Sequence, residues 1–233
     1  MAPPRTDPPA PLLPAPAPHG LRFEEGDSVR TDAKYLQLTA FRVTREGAPD
    51  TGKRAAAYDV LGRKALDAAV VVPFFVREDT CFVRLRTVVR PPLALRGAPP
   101  AGLPAPPATL WEVPAGLIEA DEDAATGAAR ELFEELAVRP VAITPLGPPM
   151  CPAPAVLAEL HVFFAAEIAP PADGEDWPVP EGDGSLYEEN AQFATLSLAE
   201  ALEACRRGEI WDAKTELALR RLADRFSEAP AAP

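Results

Sequence analysis

The chain has 233 residues, enough for one core-forming domain with trimmings, and its three cysteines (Cys81, Cys151, Cys205) are too few and too scattered for a disulfide framework or a zinc cluster. A formal charge of −12 excludes a surface that grips nucleic acid by neutralising phosphate, and with only His19 and His161 as imidazoles, any metal would rest on oxygen donors. The sequence has no membrane-length apolar run and its opening lacks a signal-peptide layout, so a soluble cytoplasmic protein with no membrane or nucleic-acid partner is expected.

Residues 1–20 alternate Pro and Ala with nothing to bury and predict a disordered tail. A small antiparallel β-sheet is expected within 21–66, because Tyr35–Val43 and Ala55–Arg63 are β-rich runs separated by the turn-rich REGAPDTGK. The main domain is expected over 67–226. It opens on Ala68–Val76, apolar on both faces and hence a central strand. Cys81–Val89 follows, and its alternation puts Arg84 and Arg86 on one face, toward polar space. The Pro-rich insertion 91–109 holds too many breakers for a regular element. A helix is predicted over 123–137, where Ala125, Ala128, Ala129, Leu132, Phe133 and Leu136 recur at helical spacing as one buried stripe. Beyond the proline-laden PLGPPMCPAPA, Leu160–Ile168 predicts a further buried strand. Two helices close the chain, one capped by Ser197 and Glu200 and stopped at Gly208, the other starting near Asp212; 227–233 are expected to be disordered. The cysteines are expected to be small core residues. The order of elements predicts an α+β fold, a mixed α/β/α sandwich with the small N-terminal antiparallel β-sheet attached.

Opposite the apolar stripe, Glu131, Glu134 and Glu135 stand at i, i+3 and i+4, and the only nearby cation on the helix is Arg130. Like charges this close repel and raise their own pKa values, which a divalent cation would relieve. Taken alone, the carboxylates fit a solvated helix face as readily as a cation site.

The wider pattern is more specific: Gly116, five residues, Glu122, seven residues, then Arg130-Glu131-Leu132-Phe133-Glu134-Glu135-Leu136-Ala137-Val138. Its chance occurrence is on the order of one in ten thousand from composition-like frequencies. The segment 116–138 resembles the Nudix box, with Ala137 in place of the usual Gly, a change that extends the helix or shifts its exit. WEVPAG (Trp111–Gly116) is similar to the lead-in of ADP-ribose pyrophosphatases, as are YDVLGR, the RPP of Arg90-Pro91-Pro92 and GEIWDAKTELAL.

This resemblance implies a Nudix fold and a metal-dependent hydrolase of a nucleoside diphosphate linked to another moiety, with ADP-ribose, split to AMP and ribose 5-phosphate, as first choice. Other substrates stay open (GDP-mannose, FAD, NADH), as does a non-catalytic ligand-binding module. The resemblance implies Mg²⁺, with Mn²⁺ as substitute, held by the Ala115 carbonyl, Glu131 and Glu135. Glu134 would help directly or through water, and Arg130 would pair with a carboxylate such as Glu122. It implies Glu112 at the substrate and Glu159, downstream of Pro154, as general base, although CPAPAVLAE departs from the usual Ser/Gly-rich approach. Arg90 and Arg86 suit phosphate, whose oxygens a planar guanidinium matches in pairs; a solvated strand end is the plain alternative. A homodimer exchanging the sheet of residues 21–66 is also implied. The insertion 91–109 departs from the short connection usual in that subfamily.

Overall fold

The computed structural model describes residues 21–29, 35–45, 56–172, 174–181 and 191–228; the expected tail at 1–20, most of REGAPDTGK and residues 229–233 lie outside them. The described residues fall into two compact units that divide between Leu61 and Gly62, ahead of the boundary expected at 67.

The first unit is a three-stranded sheet in the order β1 (Leu21–Val29), β2 (Gln37–Arg45), β3 (Ala56–Gly62). β1 and β2 run antiparallel, Leu21 opposite Arg45 and Val29 opposite Leu38, with a register shift between Glu25 and Ser28. β1 was not among the predicted strands, because LRFEEGDSV offers neither clean alternation nor an apolar run.

The second unit is built on a seven-stranded mixed sheet: β4 (Ala68–Arg77), β5 (Thr80–Val89), β6 (Thr109–Glu112), β7 (Ala115–Leu117), β8 (Pro140–Pro145), β9 (His161–Ile168) and β10 (Phe193–Ser197). The main path is β10-β5-β4-β9-β8, with β6 against β5 and β7 against β4. β4 is the hub. Its Ala68–Phe74 stretch pairs in parallel with β9, while on the other side Ala68–Val70 pairs with β7 and Phe74–Arg77 with β5. Pro73, which has no N–H to donate, falls in the gap between those two antiparallel partners.

Helices cover both faces, so the expected sandwich is present. Val70, Val72, Phe74, Val83 and Leu85 pack on Ala201, Leu219 and Leu222 from α3 (Leu198–Arg206) and α4 (Ala213–Glu228). Ala69, Val71 and Phe75 pack on Ala128, Leu132 and Leu136 of α2 (Ala124–Leu136). α3 carries the capping box of Ser197 and Glu200. α4 reaches Glu228, into the span expected to be disordered.

Four expectations are corrected. The insertion does hold an element, the one-turn helix α1 (Pro91–Ala94), because its prolines occupy first-turn positions whose N–H groups need no partner. Phe133 leaves the core stripe: it is exposed, with the Arg139 guanidinium 4.1 Å over its ring. Of the cysteines only Cys205 is buried; Cys151 is exposed, in the proline-laden loop before β9. Arg84 and Arg86 share a face as expected, but it is covered by protein, and both are buried.

Ala137 neither prolongs α2 nor shifts its end. It adopts φ 56 as the left-handed C-cap, and its N–H donates to the Phe133 carbonyl at 2.8 Å. A Cβ in this region costs roughly 1–2 kcal/mol, so Ala137→Gly is expected to stabilise the fold by about 0.5–1 kcal/mol, after subtracting the roughly 0.4–1 kcal/mol that glycine's extra freedom in the unfolded chain costs. Thermal denaturation checks this; a midpoint no higher than the native one would show that the turn carries no strain.

Candidate active site

The site is assembled where β7, the loop after it and α2 meet. Asp123 caps α2 by accepting from the Thr126 N–H at 2.8 Å. One residue earlier, Glu122 accepts from the Glu119 N–H at 2.9 Å and takes a two-pronged contact from Arg130, with Nη2 at 2.7 Å and Nε at 3.2 Å. Arg130 also donates to the Leu117 carbonyl at 2.9 Å, to Glu131 at 2.7 Å and to Glu134 at 3.0 Å. One guanidinium therefore ties β7, the loop and the second half of the helix together. Its hydrogen bonds hold the Glu122 carboxyl below the usual carboxylate range.

Glu131 is buried. Burial pushes its carboxyl up, against the opposing pull of Arg130. It rests on the backbone of Gly116 so closely that a Cβ built there would lie 2.0 Å from Glu131 Oε1. Glycine is required here by space rather than by an unusual φ. Glu135, one turn on, faces the sheet, where Arg86 Nη1 stands 3.1 Å from its Oε1. Glu134 points outward and is half-exposed. The three box carboxylates thus divide between two guanidiniums, Arg130 and Arg86.

Beside them opens a cavity of about 460 Å³, walled by Ala115, Gly116 and Leu117 of β7, Leu93 of α1, and the side chains of Arg63, Arg90, Glu112, Glu159, His161, Asp212 and Lys214. Its most buried charge is Glu112, 1% exposed. Arg90 grips both oxygens of Glu112, with Nε at 2.7 Å and Nη2 at 2.5 Å, and Lys214 binds one of the same oxygens. Burial alone would raise the Glu112 carboxyl; the hydrogen bonds and charges of Arg90 and Lys214 outweigh it and leave it below the usual range. Hydrogen bonding to Glu112 in turn raises Arg90, with the charges of Asp212 and Glu135 adding to it. Asp212 accepts from Lys214 at 2.8 Å and caps α4 through Thr215, whose hydroxyl then accepts from the Val113 N–H at 3.0 Å. On the opposite wall Arg63 and His161 both meet Glu159, the imidazole at 3.2 Å. Burial lowers the His161 pKa, against the opposing pull of Glu159.

Of the residues singled out from the sequence, Glu112, Arg90, Ala115 and Glu159 line the cavity, and Glu131 abuts it through Gly116. Arg130, Glu134, Glu135 and Arg86 are not lining residues; they stand behind β7 and along α2. Arg63, His161, Asp212 and Lys214 were missed. Lys214 and Asp212 lie in GEIWDAKTELAL and Arg63 ends YDVLGR, so their signal was present but unassigned, whereas nothing in the sequence around His161 marks it.

Among the described residues, no group of three His, Cys, Asp or Glu side chains is arranged to hold a metal as it stands. The donor chemistry nevertheless fits a hard divalent cation: carboxylate oxygens, one of them desolvated and seated on a glycine that leaves room for it. Glu131 and Glu135 would hold the ion, with Glu134 and the Ala115 carbonyl completing the set. Also among the described residues, no helix is long and apolar enough to cross a membrane.

Residues 68–215 match the family model of the NUDIX domain, well over half of the chain. A search of curated proteins finds no match. Among solved structures, the fold resembles that of an ADP compounds hydrolase at 13% identity and a TM-score of 0.65, covering 94% of this chain and 100% of the other.

Proposed function

We propose, from the premise that the chain belongs to the Nudix family and is a Nudix pyrophosphohydrolase, that it hydrolyses a nucleoside diphosphate linked to a further moiety, ADP-ribose first among them. The observation that carries this reading is the junction of two features. One is a cavity large enough for part of a nucleotide, walled by Arg90, Glu112 and Lys214; the other is the acidic face of α2 at its edge. The likeness in fold to an ADP compounds hydrolase supports the same substrate class.

When bound, a divalent cation, Mg²⁺ in this reading with Mn²⁺ as substitute, neutralises diphosphate oxygens and makes phosphorus accept attack by water. The protein's own groups do the rest. Arg90 lies at the cavity wall, oriented by Glu112, and offers its guanidinium to phosphate oxygens. Glu112 lines the cavity and, together with Asp212, balances the charge of Arg90 and Lys214. Glu159, fixed by Arg63 and His161, takes the proton from the attacking water. The new P–O bond forms as the bridging P–O bond breaks, releasing AMP and ribose 5-phosphate from ADP-ribose. Arg130 keeps β7, the loop and the second half of α2 in register throughout. The homodimer through the sheet of residues 21–66 and the cytoplasmic setting belong to the same reading.

Purified protein assayed against ADP-ribose, GDP-mannose, FAD and NADH is expected to release phosphate-bearing products only with Mg²⁺ or Mn²⁺ present, and to lose turnover on chelation. ADP-ribose should give the highest kcat/KM. Cleavage that persists in excess chelator would remove the metal from this reading, and a preference for one of the others would replace the substrate.

A further inference from the structure

β5 turns two arginines toward the α2 side of the sheet, and the reading above uses neither. Arg84 lies over the rings of Trp177 at 4.4 Å and Phe193 at 5.2 Å and donates to Thr195 at 3.2 Å, a packing role. Arg86 is placed differently. Its side chain is 2% exposed, it stands opposite Glu112 in the β5–β6 register, and it meets Glu135, itself 11% exposed, at 3.1 Å.

We propose that Arg86 is a positioning residue that competes with the divalent cation for Glu135, and thereby sets how tightly the ion is held. The inference rests on the reading of Glu131 and Glu135 as the ion's carboxylates. An ion drawing on Glu135 must draw that carboxylate away from a buried guanidinium, and must then sit near its fixed positive charge. Arg130 poses less of an obstacle: it is partly exposed, so water can replace a carboxylate that turns to the ion. Arg86 opposes ion binding while holding Glu135 ready beside the site, so that the metal-free chain does not leave a buried carboxylate repelling its neighbours.

Titration of the full chain with Mn²⁺, followed by electron paramagnetic resonance of the free ion, reads this directly. R86M is expected to bind Mn²⁺ about tenfold more tightly or better, since a positive charge within a few ångströms of the ligand is removed. R86K, which keeps the charge but not the fork, should fall between R86M and the native chain, and it serves if R86M does not fold. The gain should vanish when E135Q is present in both members of the comparison. A merely structural arginine would leave affinity unchanged or weaken it. R86M or R86K binding Mn²⁺ no more tightly than the native chain overturns the competition. E135Q binding Mn²⁺ as tightly as the native chain overturns the assignment of Glu135 as a ligand, and the inference with it.

Discussion

Glu135→Gln is expected to lower kcat ~10²-fold or more with little change in KM, because an amide oxygen carries no net charge to hold a divalent cation. Glu135 is 11% exposed on its side chain and faces the buried Arg86, so the same substitution also leaves a guanidinium facing a neutral group. Removing one partner of a buried pair is costly, roughly 3 kcal/mol when the charge is fully isolated, and the amide recovers part of that. Steady-state kinetics in Mg²⁺ together with thermal denaturation separate the two effects. An unchanged kcat would take Glu135 out of the catalytic set, whatever the melting temperature does. Glu134 makes the contrast: half-exposed and held only by the outer edge of Arg130 among the contacts described above, it is expected to matter less.

Gly116→Ala should be nearly as damaging, for a reason that involves no charge. The added methyl would lie 2.0 Å from Oε1 and 2.5 Å from Oε2 of Glu131, so the carboxylate and the β7 backbone cannot both stay in place. Glu131 is buried and held by Arg130 at 2.7 Å, so its carboxylate moves only by giving up that contact. The expected result is a loss of about 1–3 kcal/mol in stability, as for other overpacked sites, and a fall in kcat/KM on the order of 10²-fold, since displacing a ligand by an ångström is enough for that. Gly127→Ala is the control. Its methyl would approach Glu122 Oε1 at 2.9 Å, an overlap far smaller than the one at Gly116 and relieved by a shift of a few tenths of an ångström. If the two alanine variants lose activity equally, close seating of Glu131 on Gly116 is not what the site requires.

The sequence made the interior strands and all three long helices legible because each repeats its signal: β4 is apolar without interruption, α2 has a 3.6-residue stripe, and α3 has both halves of its capping box. β6, β7, β8 and β10 were not legible. They are only three to six residues long, prolines border or bound two of them, and their pairing is decided by distant partners rather than by local pattern. The acidic face of α2 could be read from spacing, but its division between two arginines could not, since Arg86 arrives from a strand far away in the chain. Arg84 and Arg86 were misread for the same reason: alternation reports which residues share a face, not what will cover it. In the cavity, the Lys214 bond to Glu112 joins residues 102 positions apart, beyond the reach of any periodicity argument.

The parallel pairing of β4 with β9 has a bearing on how the protein comes into being. Asp67 accepts from the Leu160 N–H across 93 positions of chain, and the whole Nudix box lies within that span. During synthesis the helix bearing Glu131 and Glu135 leaves the ribosome well before the strand that will lie against the far side of β4, and the Glu159 wall comes later still than the acidic face. Long closures of this kind slow folding and leave apolar edges uncovered for a time. The emerging chain therefore passes through an interval in which its carboxylates are already in the cell's pool of divalent ions while the cavity that would use them does not yet exist.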